Sequence, residues 1–81
     1  MTEKLAIINV ADYPADRYAV HWEYFTHDEG DGTWSWLCRL YDNRSHVILD
    51  TANGIDPSEN DARRAAQQFV LDNIEQYRIE L

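Results

Sequence analysis

The chain has 81 residues, 15 Asp and Glu against seven Lys and Arg, and a net charge of −8. That length admits one domain with one modest core, and an apolar share of 44% suits a folded chain rather than a disordered one. No run approaches the roughly 20 apolar residues of a membrane-crossing helix, and the first residues lack the basic and apolar regions of a secretory leader, so a cytoplasmic location is expected.

Residues 5–10 are short and apolar, and their Ile and Val content predicts a strand that Tyr13-Pro14 then ends. Residues 17–27 alternate: Tyr18, Val20, Trp22 and Tyr24 fall on one face, and Arg17, Ala19, His21 and Glu23 on the other. Such a period of two marks a strand with one buried face. Residues 33–42 repeat it, with Trp34, Trp36, Cys38 and Leu40 opposite Ser35, Leu37, Arg39 and Tyr41. Residues 45–51 form a third strand in which Val47 and Leu49 face inward. Pairing Tyr24 with Trp36, Trp22 with Cys38, Cys38 with Leu49 and Leu40 with Val47 places these apolar residues on one surface.

Asn53-Gly54 carries the signature of a turn. Asp56-Pro57-Ser58-Glu59 then combines an N-cap, a proline at the first helical position and a glutamate three residues past the cap. From Ser58 to about Arg78, Ala62, Ala66, Phe69, Val70, Ile74 and Tyr77 recur at helical spacing as one apolar stripe. The expected fold is α+β: an antiparallel meander of three strands, or four with the N-terminal segment, covered on one face by a C-terminal helix. Trp22, Trp36 and Phe69 are expected near the centre of its core.

No constellation for catalysis emerges. Ser35, Ser45, Ser58 and Cys38 lie in no nucleophile-elbow motif, and no glycine-rich phosphate loop precedes the helix. The single cysteine excludes an internal disulfide framework and a cysteine-rich zinc site. His21 and His46, on the first and third strands, are expected about 10 Å apart across the second. The loop from His27 to Gly32 lacks the ligand spacing of an EF-hand, so its acids read as hairpin residues. No cofactor, metal or enzymatic activity is therefore expected. Direct nucleic-acid binding is disfavoured too, because the one basic doublet, Arg63-Arg64, sits among Glu59, Asp61 and Asp72.

The outer face of the sheet carries Phe25, Leu37, Tyr41 and Ile48 beside His21, Glu23 and Arg39, the mixed chemistry of an interface. These four residues, the loop acids Asp28, Glu29 and Asp31, and the helix acids Glu59 and Asp61 are the candidate partner-binding set, aimed at a protein with a basic surface. In size, acidity and β-β-β-α order the chain resembles small phage-encoded anti-defence proteins, including anti-CRISPR proteins. That resemblance implies stoichiometric inhibition of a bacterial nucleic-acid-handling or defence protein in the host cytoplasm, in some members by mimicry of nucleic acid. The element order also resembles the double-stranded RNA-binding domain, but that domain begins with a helix and needs basic residues where this chain has Asp56, Glu59 and Asp61. The second reading is a structural or regulatory interaction domain, monomeric or homodimeric.

With scattered histidines and one cysteine, EDTA should leave the thermal midpoint unchanged. A large fall restored by zinc or calcium would contradict this.

Overall fold

Period-two alternation yields three nine-residue strands, β1 (Val20–Asp28), β2 (Trp34–Asp42) and β3 (Ile48–Asp56), in one antiparallel sheet of order β1-β2-β3. Helix α1 (Glu59–Asn73) follows and passes into a 3-10 turn, Ile74–Tyr77. The computed structural model describes residues 10–79, so the expected N-terminal strand lies outside the described residues except for Val10, which opens a 3-10 turn, Val10–Asp12. The chain is thus an α+β fold with an open three-stranded sheet and one C-terminal helix.

Both registers differ from the expected ones. Trp22 pairs with Leu40, Tyr24 with Cys38 and Thr26 with Trp36, a slip of two residues that keeps every side chain on its expected face. On the other side of β2, Cys38 pairs with Ala52 rather than Leu49, and Trp36 with Gly54. The third strand therefore starts later than expected and runs through Asn53-Gly54, which is not a turn. A bulge makes this possible. Tyr41 pairs with Ile48 and Leu40 with Asp50, so Leu49 is an extra residue, and Val47 and Leu49 are exposed rather than inward.

Gly54 explains why such a small-residue stretch is a strand. A Cβ at this position would lie 2.6 Å from Trp36 Nε1, so the indole occupies the space a side chain would need. The sequence pattern identified the glycine and the indole separately but not their contact.

The helix is capped by Ser58, not Asp56. The Ser58 Oγ accepts from the Asp61 N–H at 3.1 Å, while Asp56 closes β3 and Pro57 precedes the cap. Ala62, Ala66, Val70 and Ile74 form the buried stripe, as their spacing predicts, and Gln67 is buried with them. Ala66, Val70 and Ile74 meet Val20, Cys38 and Leu40 on the inner face, and Tyr18 completes this core. Trp22, Trp36 and Phe69 are only half-buried around it. The expected aromatic centre is displaced because the fully covered part of the sheet lies toward Val20, Leu40 and Ile74.

After the 3-10 turn the chain returns to β1. The Ala19 N–H donates to the Tyr77 carbonyl at 2.9 Å and the Ile79 N–H to the Arg17 carbonyl at 2.8 Å, pairing Tyr18 with Arg78. Tyr18 Oη also donates to Glu75 at 3.1 Å; burial first, and then this carboxylate, raise its pKa. Burial likewise pushes the Cys38 thiol up to about 11, which keeps it protonated and inert at neutral pH.

Leu40→Ala should destabilise by about 2–5 kcal/mol, and Phe69→Ala by less, in denaturant titrations. Gly54→Ala should cost about 1–3 kcal/mol through overpacking, with much of the loss recovered when Trp36→Leu is added. Simple additivity of the two changes would place the indole elsewhere.

Candidate functional site

The helix covers the inner face, and the outer face is left bare among the described residues. Three cross-strand rows build that outer face. His21, Tyr41 and Ile48 form the first, Glu23, Arg39 and Thr51 the second, and Phe25, Leu37 and Asn53 the third. His27, Ser35 and Ile55 form a fourth row beyond them.

Charge on this face is internally balanced. Tyr41 Oη donates to Glu23 Oε1, and Arg39 lies 3.7 Å from the same oxygen. The His21 ring stacks on Tyr41 with centroids 5.3 Å apart, and its Nδ1–H donates to Asn43 Oδ1 at 2.8 Å. Since an amide oxygen only accepts, Nδ1 carries the proton. Tyr41 is thus held inside a polar network, whereas Phe25 remains 53% exposed and Ile48 48% exposed.

The expected separation of His21 from His46 does not hold: their ring centroids lie 5.6 Å apart. His46 belongs to the β2–β3 loop rather than to a strand, and its φ of 61° turns it back toward His21. Asp42 organises that loop. Its Oδ1 accepts from the N–H groups of Arg44 at 2.8 Å and Ser45 at 2.9 Å, which lowers its pKa, with the Ser45 donor the larger cause. Among the described residues no group of three or more His, Cys, Asp or Glu gathers to hold a metal ion.

Away from this polar network the face sinks into an open depression of about 410 Å³, walled by Phe25, His27, Ser35, Leu37, Asn53 and Ile55 with the residues between them. Its lining is mainly apolar, and Ile55 is 67% exposed. Ile55 escaped the sequence pattern because residues 53–54 read as a turn; the alternation of Thr51, Asn53 and Ile55 around Ala52 and Gly54 was the signal available.

The acids of the candidate set converge on the same end. Asp28, Trp34 and Asp56 stand abreast across the sheet, so the β1–β2 loop and the start of α1, distant in sequence, share one edge of the molecule. This brings Asp28, Glu29 and Asp31 to the end where Glu59 and Asp61 lie. Glu59 pairs with Arg63 at 2.9 Å and Asp61 with Arg64 at 3.9 Å. In the loop, Asp28 accepts from the Gly30 N–H at 2.9 Å, and Asp31 from the Thr33 N–H at 3.0 Å and from its hydroxyl. Those Thr33 bonds, the hydroxyl first, lower the Asp31 pKa. Glu29 faces His27 at 3.9 Å. The result is an acidic rim, held in shape by its own turns, beside an apolar hollow.

Comparison with protein-family models, with curated proteins and with solved structures finds no match.

Asp31 and Asp42 have depressed pKa values, so their contribution to stability is full above the unfolded value of about 3.9 and is lost as pH falls through their lower folded values. Asp42→Ala should therefore lower the thermal midpoint at pH 7, and its difference from wild type should shrink in strong acid. A difference independent of pH would show that the Asp42 charge is not what orders the loop.

Proposed function

We propose that this chain is a non-enzymatic binding protein that engages a protein partner with a basic surface through the bare face of its sheet. The observation that carries this is the juxtaposition of an apolar hollow at Phe25, Leu37 and Ile55 with an acidic rim at Asp28, Glu29 and Asp31. Carboxylates of a chain of net charge −8 speed encounter with a basic partner, and apolar side chains that are desolvated on contact slow departure. Glu59 and Asp61 extend the rim, though each also serves the first turn of the helix and has an arginine partner.

The target class we propose is a bacterial nucleic-acid-handling or defence protein, whose phosphate-binding groove offers the required positive surface, and the mode is stoichiometric inhibition in the cytoplasm. Support comes from the charge, the element order and the exposed acidic loop. Tyr41 and Ile48, at the other end of the face, then form the far margin of the contact.

The test has two arms, both read on the partner recovered and identified from a bacterial lysate. Asp28→Asn, Glu29→Gln and Asp31→Asn together should slow association without unfolding the chain, because amide oxygens can still accept the turn bonds. Phe25→Ser with Leu37→Ser should instead speed dissociation, and the association rate of wild type should fall as salt rises. A captured protein without a basic surface, or native kinetics in both variants, would overturn the reading.

A further inference from the structure

We propose that His21 and His46 form a two-histidine site for a divalent transition ion, Cu²⁺ most tightly and Zn²⁺ less so, at the end of the outer face away from the acidic loop. This goes beyond the partner-binding reading and does not rest on it.

The two histidines reach this site by different means. His21 stands on β1, and Asn43 sets its ring. The Asn43 N–H donates to the Ala19 carbonyl at 2.9 Å, and Asn43 Nδ2 donates to the Tyr18 carbonyl at 2.8 Å. A carbonyl only accepts, so the amide is held with Oδ1 toward His21, whose Nδ1–H it receives at 2.8 Å. In the neutral ring Nε2 then keeps its lone pair. That is the form in which imidazole binds a metal, and an oxygen behind the other nitrogen is the usual support of a ligating histidine. His46 comes from the β2–β3 loop. Bonds from the Asp42 N–H to the Val47 carbonyl and from the His46 N–H to the Asp42 carbonyl, both at 2.9 Å, close that loop and hold His46 at a φ of 61°. This backbone is costly for a residue with a Cβ, and it is what carries the second imidazole to the first.

The spacing suits a shared ion. Nitrogens at about 2.0–2.1 Å from one tetrahedral ion put two imidazole centroids about 5 Å apart. The observed 5.6 Å, with the rings inclined at 68°, needs only a small closing movement of exposed side chains. The donors select the ion. Imidazole suits Cu²⁺, Ni²⁺ and Zn²⁺, with Cu²⁺ the tightest, whereas Mg²⁺ and Ca²⁺ require oxygen ligands. No third His, Cys, Asp or Glu joins the pair among the described residues, so water fills the remaining positions and the affinity rests on two ligands acting together. A net charge of −8 raises the local concentration of cations. Both histidines are exposed and lie outside the core, so the folded chain presents the site without depending on it.

Calorimetric titration of the metal-free full chain with Cu²⁺ and with Zn²⁺ would test this. Each should saturate at one ion per chain, Cu²⁺ more tightly, and Mg²⁺ should give no binding. In NMR spectra the ring-proton signals of His21 and His46 should shift together as Zn²⁺ is added, while those of His27, at the other end of β1, stay in place. His21→Ala and His46→Gly should each raise the dissociation constant by about tenfold or more, and the double variant should be little worse than either, because the advantage of the pair is lost with its first member. His27→Ala should change nothing. Glycine accepts the positive φ at residue 46, so His46→Gly should keep the metal-free thermal midpoint while losing the rise that saturating Zn²⁺ gives wild type. No saturable binding of either ion, or binding that the folded His21→Ala and His46→Gly variants retain, would overturn the proposal.

Discussion

The packing of small residues on α1 against the inner face of the sheet is the contact on which the remainder depends. Ala62 and Ala66 bring the helix backbone close to the strands, and Val70 and Ile74 then fill the space over Val20, Cys38 and Leu40. With the helix committed to that side, the outer face has no covering element among the described residues. Its exposed Phe25, Ile48 and Ile55 follow from the same event that builds the core. The core and the bare face thus occupy opposite sides of a sheet one residue thick.

Topology then places charge. A meander followed by a helix must start that helix at the end of β3, and here this is the end where β1 turns into β2. The acids in the first turn of α1, paired with Arg63 and Arg64, and those that shape the β1–β2 loop gather at this end as a consequence. The opposite end is organised by different means: Asp42 fixes its loop through two main-chain donors, and Tyr77–Ile79 seals the start of β1. The molecule is polarised, with an apolar and acidic region at one end and a compact aromatic and histidine network at the other.

Much of this was legible in the residues, and the parts that were not have physical reasons. Alternation identified which side chains share a face, because burial acts on faces; it could not identify register, because a slip of two residues leaves the faces intact. The helix stripe was legible from Ala62 to Ile74, whereas the cap was not, since Asp56 and Ser58 are both good capping residues two positions apart. The second half of β3 was hidden by Asn53-Gly54, whose local preference for a turn yields to the indole of Trp36 and to pairing along β2. Of the candidate site, Phe25, Leu37, Tyr41 and Ile48 were read correctly as outward-facing. Ile55 was missed with its strand, and the approach of His46 to His21 depends on a left-handed backbone that histidine does not announce.

The central claim is that the face carrying Phe25 and Leu37 is open to solvent in the whole chain. A soluble paramagnetic probe, added to a dilute sample while NMR signals are recorded, measures this directly. The account predicts strong broadening of the Phe25 ring and Leu37 methyl signals, with Leu40 and Val70 protected. Equal protection of Phe25 and Leu40 would contradict it, because another part of the chain would then cover the face on which recognition is placed.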